Sequence, residues 1–233
     1  MSGRGGKLVY KILQKHPFLK KLIKKILSSG LPVPRLLLPL IRSLYQGGVV
    51  AAEALRFIYS WFVVSPVMRA ISYRMGKNVR IERIPFIRGP GRITIGDNVY
   101  ISGKLGVAFS CNGSGNSMLH IGNGTFIGHG TSFSIADQII IGDECLIAGN
   151  VTIQDNDGHP LNPKQRRAGQ PVPRKDIKPV TVENGAWIGR GATILKGVRI
   201  GENAVIGASS VVTKDIPANS VACGSPAKVI KTL

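Results

Sequence analysis

The chain has 233 residues and carries 31 Lys and Arg against 12 acids, a net charge of +19. That length holds one domain with an appendage or two small domains. Its three cysteines, Cys111, Cys145 and Cys223, are odd in number and far apart, which argues against a disulfide scaffold and for a reducing compartment.

Residues 1–76 hold thirteen basic residues and the single acid Glu53, so +12 of the excess lies there. No run of about eighteen uncharged apolar residues occurs, which argues against a spanning helix. The lysines of residues 7–25 interrupt any signal-peptide core. Residues 1–30 are expected to form a basic helix. Leu19, Leu22, Ile23, Ile26 and Leu27 share one face, and Lys20, Lys21, Lys24 and Lys25 take the other. Such a helix suits the surface of an anionic membrane. Docking on another part of the protein, with the charge solvated, is the alternative. Leu31-Pro32-Val33-Pro34 breaks it. Further helical stretches follow over 35–75, one cut by Pro39. An apolar aromatic stretch, 57–64, ends at Ser65-Pro66. Its Tyr59, Trp61 and Phe62 suit a membrane-interface belt or a plate capping the open end of a solenoid.

Near Gly76 the period changes. The first clear repeat is Ile93-Thr94-Ile95-Gly96-Asp97-Asn98, and Ile95 and Ile101 keep its spacing. Residues 102–118 are irregular. Repeats resume at Ile121, Ile127 and Phe133, then slip by two to Ile135, Ile141, Ile147 and Ile153. Residues 154–179 break the pattern, and five prolines there exclude a regular strand or helix. A long loop inside compact repeats is usually functional. From Val182 every sixth residue is again aliphatic: Ile188, Ile194, Ile200, Ile206, Val212. Neither a helix nor a simple strand gives a period of six. A short strand and a bend, repeated, does, with small residues such as Gly189, Gly201 and Gly207 letting the backbone turn. Three such units make one triangular coil, and about six coils are expected. The division is therefore a basic helical region, 1–76, and a solenoid, 77–233, interrupted by the loop 154–179.

Two stretches are more specific than the period: IGDECLIAGNVTIQDNDGHP at 141–160, and IGENAVIGASSVVTKDIPANSVACGSPAKVI at 200–230. Together they resemble the maltose, galactoside and polysaccharide O-acetyltransferase branch of the hexapeptide-repeat acyltransferases, over about residues 91–231. The resemblance implies a mainly β fold, a left-handed parallel β-helix. It implies a homotrimer with sites between neighbouring chains, acetyl-CoA as co-substrate, no metal, and a saccharide acceptor, lipid-linked or part of a surface polysaccharide. By the same resemblance His159 takes the proton of the acceptor hydroxyl. Imidazole has the pKa for that task, and an alcohol is a poor nucleophile at neutral pH. Asp157 or Asp155 would support the imidazole. His129 stands where the relatives place an acceptor-binding Asn. Trp187, Ala208, Thr213, Lys214 and Lys228 map onto coenzyme-contacting positions. N-acylation of an amino-sugar and a non-catalytic scaffold are the alternatives. The histidine spacing of a zinc hydratase, His-x4-His, does not occur, and no nucleic-acid recognition motif accompanies the basic charge. A cytoplasmic protein, peripheral on the inner face of the membrane through residues 1–75, is expected.

Overall fold

The computed structural model describes residues 34–110 and 116–233, with Phe18 and Lys21. The basic segment expected over 1–30, those two residues apart, and Cys111 lie outside the described residues. Of the described cysteines, Cys145 is buried and Cys223 half-buried, both as free thiols.

The chain divides into two units, Met1–Glu53 and Ala54–Leu233. From Arg35 the described chain runs as a 3-10 turn, Arg35–Leu37, then α1, Leu38–Tyr59, a π-turn, Ser60–Val64, and α2, Ser65–Ile71. Neither expected break occurs. Pro39 falls in the first turn of α1, where its missing N–H has no intrahelical partner to lose. Pro66 follows the π-turn, whose wider winding accommodates the lost bond. The stretch Arg35–Ile71 is thus long and apolar enough, by length and composition, to cross a membrane. An uncharged run does not reveal it, because Glu53 and Arg56 interrupt the stretch. Within the first unit Leu38, Leu40, Ile41, Leu44, Tyr45, Val49 and Val50 are all exposed.

In the second unit one helical face is spent. Ser60, Val64 and Met68 are buried, four residues apart. Val64 and Met68 join the core beside Ile81, and the Ser60 hydroxyl donates to the Ile81 carbonyl at 2.6 Å. This face caps the first coil, as an open solenoid end requires.

The rest of the second unit is a parallel β-helix with three faces. The first face stacks Arg74–Met75, Arg92–Ile95, Met118–Ile121, Gln138–Ile141, Val180–Val182 and Arg199–Ile200. The second stacks Arg80–Ile81, Tyr100–Ile101, Phe126–Ile127, Leu146–Ile147, Trp187–Ile188, Val205–Ile206 and Ser220–Gly224, with Ala227–Thr232 closing it antiparallel. The third stacks Phe86–Arg88, Gly106–Phe109, Ser132–Ile135, Thr152–Gln154, Thr193–Ile194 and Val211–Val212. Each inward aliphatic meets its counterpart in the next coil. On the second face Ile81, Ile101, Ile127, Ile147, Ile188 and Ile206 pair in succession, and all are buried. Full burial of each such side chain is worth about 1.5–3 kcal/mol.

The corners differ in a way the period did not disclose. From first face to second, and from second to third, equivalent inward residues are always six apart, as in Ile121, Ile127, Phe133 or Val182, Ile188, Ile194. All length variation falls at the third-to-first corner. It holds the two-residue slip at Ala136–Asp137, the 110–117 insertion and the loop between Gln154 and Val180.

The glycine after each aliphatic does not make the turn. A Cβ on Gly189 would lie 2.6 Å from the Ala208 nitrogen, and one on Gly201 2.4 Å from that of Ala218. These glycines let successive coils approach. The turn belongs to a residue one or two places on, in the left-handed region: Asn98, Gly124, Glu144, Gly185, Asn203 and Asn219 at the first corner. The Asp or Asn between them forms a vertical ladder. Asp97 accepts from Lys77 N at 2.7 Å, Asn123 from Asp97 N at 2.9 Å, Asp143 from Asn123 N at 2.6 Å, and Asn184 from Asp143 N at 2.9 Å.

Glu144 is the one residue in that row, φ 55°, that is neither Gly nor Asn. A left-handed conformation costs most L-residues roughly 1–2 kcal/mol and Asn less. Glu144→Asn is therefore expected to stabilise the fold by about 0.5–1 kcal/mol, read as a rise in the thermal midpoint. A fall would show that the glutamate side chain contributes more than the backbone strain costs.

Candidate active site

The loop that carries His159 leaves the solenoid at its one irregular edge, and its first residues are fixed by that edge. Asp155 is fully buried. Its two oxygens accept from Ala136 N and Asp137 N, each at 2.7 Å, and Asn156 Nδ2 donates to it at 2.8 Å. Burial pushes the Asp155 carboxyl above the usual range, and these donors oppose the shift. Asp155 thus holds the two-residue slip of the coil beneath. Asn156 continues the anchor: its Nδ2 reaches the Ser134 carbonyl at 3.2 Å, and its Oδ1 accepts from Gly158 N at 2.8 Å.

Asp157 has another partner. Lys196 Nζ lies 2.5 Å from its Oδ2 and also donates to the Asp176 carbonyl at 2.9 Å. Lys196 belongs to the same corner one coil on. It therefore ties the outgoing stem of the loop to the returning one. Lys178 N donates to the Asp155 carbonyl at 2.9 Å and closes the neck. Neither aspartate hydrogen-bonds His159 within the single chain.

Between these stems Gly158 turns in the left-handed region, φ 74°, and His159 stands exposed next to buried Pro160. Beyond it comes a short helix, α3, Pro163–Arg167. The five prolines had excluded a helix here, but Pro163 occupies the first turn, where proline is favoured. The Asn162 side chain caps it, accepting from Lys164 N at 2.9 Å. Arg166 folds back onto the carbonyls of Pro160 and Leu161, at 3.0 and 3.1 Å. The loop is an ordered hairpin with a clamped neck.

The remaining candidates fall into two groups. Thr213 and Lys214 come directly after Val211–Val212 and are exposed on the third-to-first edge, the edge of His159. Trp187 stands outward on the second face, 52% exposed, in register between Leu146 and Val205. Exposed Ala208 and His129 lie at the second-to-third corner, where the His129 ring packs over Gly149. Exposed Lys228, opposite Cys223, is on the closing hairpin of the second face. Within one chain the third face separates His159, Thr213 and Lys214 from Trp187, Ala208 and His129. Among the described residues no cluster of His, Cys, Asp and Glu could hold a metal.

A solenoid of six-residue rungs with a histidine loop clamped to one edge has the architecture of an acyl-transferring β-helix. The chain belongs to the hexapeptide-repeat acetyltransferases, in the galactoside and polysaccharide O-acetyltransferase branch. Residues 179–214 match the family model described as bacterial transferase hexapeptide (six repeats), and 119–154 that of the hexapeptide repeat of succinyl-transferase. Galactoside O-acetyltransferase of Escherichia coli strain K12 is 36% identical over 140 residues, 60% of this chain and 64% of that protein. The chain thus spans under two thirds of that relative. WbbJ of the same strain, whose name assigns it provisionally to lipopolysaccharide O-acetylation, is 30% identical over 66% of this chain and 80% of its own. Among solved structures, the polysialic acid O-acetyltransferase OatWY superposes with a TM-score of 0.56 at 32% identity, over 68% of this chain and 72% of its own. An N-acyltransferase of Bacillus cereus, AntD, shares the fold, with a TM-score of 0.59 at 22% identity over 74% and 90%.

Sequence reading did not single out Lys196 or Asn156. Their partners lie 39 and 22 positions away, and only the coil register brings them together. A partly exposed ion pair is worth at most about 1 kcal/mol. Lys196→Met should therefore leave the thermal midpoint nearly unchanged while trypsin cuts the loop at Lys164–Arg167 several-fold faster. Unchanged cleavage would show that the neck holds without the lysine.

Proposed function

We propose that this protein is an O-acetyltransferase that moves an acetyl group from acetyl-CoA to a saccharide hydroxyl. The observation that carries the proposal is His159, exposed on a clamped loop at the one edge of the coil where length varies, in a chain whose relatives are named for sugar and polysaccharide O-acetylation. His159 takes the acceptor hydroxyl proton as the oxygen attacks the thioester carbon. The tetrahedral intermediate collapses, the carbon–sulfur bond breaks, and the leaving thiolate takes the proton from the imidazolium. The products are the acetyl ester and CoA with a free thiol. The loop supplies position, which is worth most when the base is held before the acceptor arrives.

The split of the candidate residues between two sides of the third face favours a pocket shared by neighbouring chains of a homotrimer. One chain would give His159, with Thr213 and Lys214. Its neighbour would give Trp187 as a flat wall for the pantetheine arm, with Ala208, Lys228 and the acceptor-facing His129. The lysines would meet the coenzyme phosphates. The acceptor we propose is a lipid-linked or surface-polysaccharide sugar, met by a cytoplasmic enzyme that residues 1–75 bring to the inner face of an anionic membrane. Each basic residue near such a surface contributes roughly 1 kcal/mol.

His159→Ala is expected to slow acetyl transfer by about 10²–10⁴-fold in a thiol-release assay, with acetyl-CoA binding retained. Unchanged turnover would remove His159 from the mechanism. Sedimentation equilibrium should give three chains per particle, and a fully active monomer would refute the shared pocket.

A further inference from the structure

The helix and the first two coils enclose a cleft that the acyl-transfer chemistry does not use. It has a volume of about 530 Å³ and is lined by Leu55, Arg56 and Tyr59 of α1, Glu82, Arg83 and Ile84 after the second strand, and Lys104. Three of these seven residues are basic and one is acidic. The acid is already engaged: Glu82 accepts from the Tyr100 hydroxyl and from Gly103 N at 2.7 Å. Burial alone would raise its pKa, but the Tyr100 and Gly103 hydrogen bonds and the charge of Arg80 hold it below the usual carboxylate range. The carboxylate therefore stays charged and inward-bonded, and Arg83 and Lys104 reach the surface exposed. Two exposed cations, Arg83 and Lys104, beside apolar walls fit an anion that carries a hydrocarbon body.

A second observation identifies that body. On the same helix Phe57, Ile58, Trp61, Phe62 and Val63 are exposed. Phe57 stacks on Trp61 with ring centroids 6.5 Å apart, and Phe62 meets Trp61 edge-on at 6.0 Å. Clustered exposed aromatics beside an arginine-lined cleft match the level of a bilayer where chains give way to phosphates. We infer that this cleft binds the phosphate of a membrane lipid, with the guanidinium of Arg83 and the ammonium of Lys104 on the phosphate oxygens and the acyl chains along the exposed side chains of Phe57, Trp61 and Phe62. The inference deepens the proposed membrane association and rests on it, and it assigns that association a defined site.

The probe is dihexanoyl phosphatidic acid below its micellar concentration, titrated into the full-length protein by calorimetry. Inorganic phosphate and dihexanoylglycerol serve as separate arms. Phosphatidic acid should bind, dihexanoylglycerol should not, and inorganic phosphate should bind roughly tenfold more weakly or worse. Arg83→Gln with Lys104→Gln should weaken phosphatidic acid by roughly tenfold or more, and Lys104→Arg should retain it. The variant side chains are exposed, and an unchanged thermal midpoint verifies folding. Equal affinity for inorganic phosphate, or binding unchanged in the double variant, overturns the lipid site. Sedimentation with phosphatidylglycerol vesicles at low salt tests membrane association separately. Pelleting without phosphatidic acid binding refutes the cleft and leaves the membrane reading standing, whereas no pelleting refutes that reading.

Discussion

The structure depends on one packing constraint: each inward aliphatic must sit directly over its counterpart in the coil below. A parallel pair shifted by one residue turns every side chain to the wrong face. The first and second corners therefore hold their six-residue spacing from the first coil to the last. Glycines such as Gly189 and Gly201 belong to the same constraint, because a side chain there would strike the next coil's backbone. So does the ladder from Asp97 to Asn184, which satisfies one corner N–H per coil that no strand can pair.

Because two corners are fixed, the third absorbs all change, and the loop that carries His159 is there. Among the described residues, the chain leaves the stacked coils between the third face and the first. It needs an anchor where it leaves, since the stacked coil no longer guides it. Asp155 supplies one by holding the slip at Ala136 and Asp137. Lys196 supplies another by joining Asp157 to the Asp176 carbonyl. Within the chain the carboxylates of Asp155 and Asp157 thus hold the loop, and Gly158 turns the chain between them and His159.

The same geometry explains what was legible in the sequence. The period of six, the coil number and the loop at 154–179 come from local spacing, because each inward aliphatic is set by its own strand. The roles of Gly189, Asp155 and Lys196 depend on neighbours one coil away, whose sequence distance varies with every insertion. The continuity of the helix through Pro39 and Pro66 is hidden from the sequence for another reason. Proline stops a helix only where it removes a bond that would otherwise form, and a first turn or a preceding π-turn removes that condition.

The helical region shows the cap, one of two readings that the sequence set against each other, and leaves room for the other, the proposed membrane face. A cap and a membrane face need not compete on a helix, which has more than one side. Ser60, Val64 and Met68 recur every four residues and close the first coil. Trp61, Phe62 and Phe57 point elsewhere by the same geometry and remain uncovered. The cap also fixes the direction of the other face. A helix free to pivot could not hold Leu55, Arg56 and Tyr59 over Arg83 and Lys104, whereas one fixed through Val64 and Met68 presents those cations beside the aromatic cluster in a single geometry. Solenoid stability and the exposed aromatic edge therefore share one cause, the packing of α2 and the π-turn on the first coil.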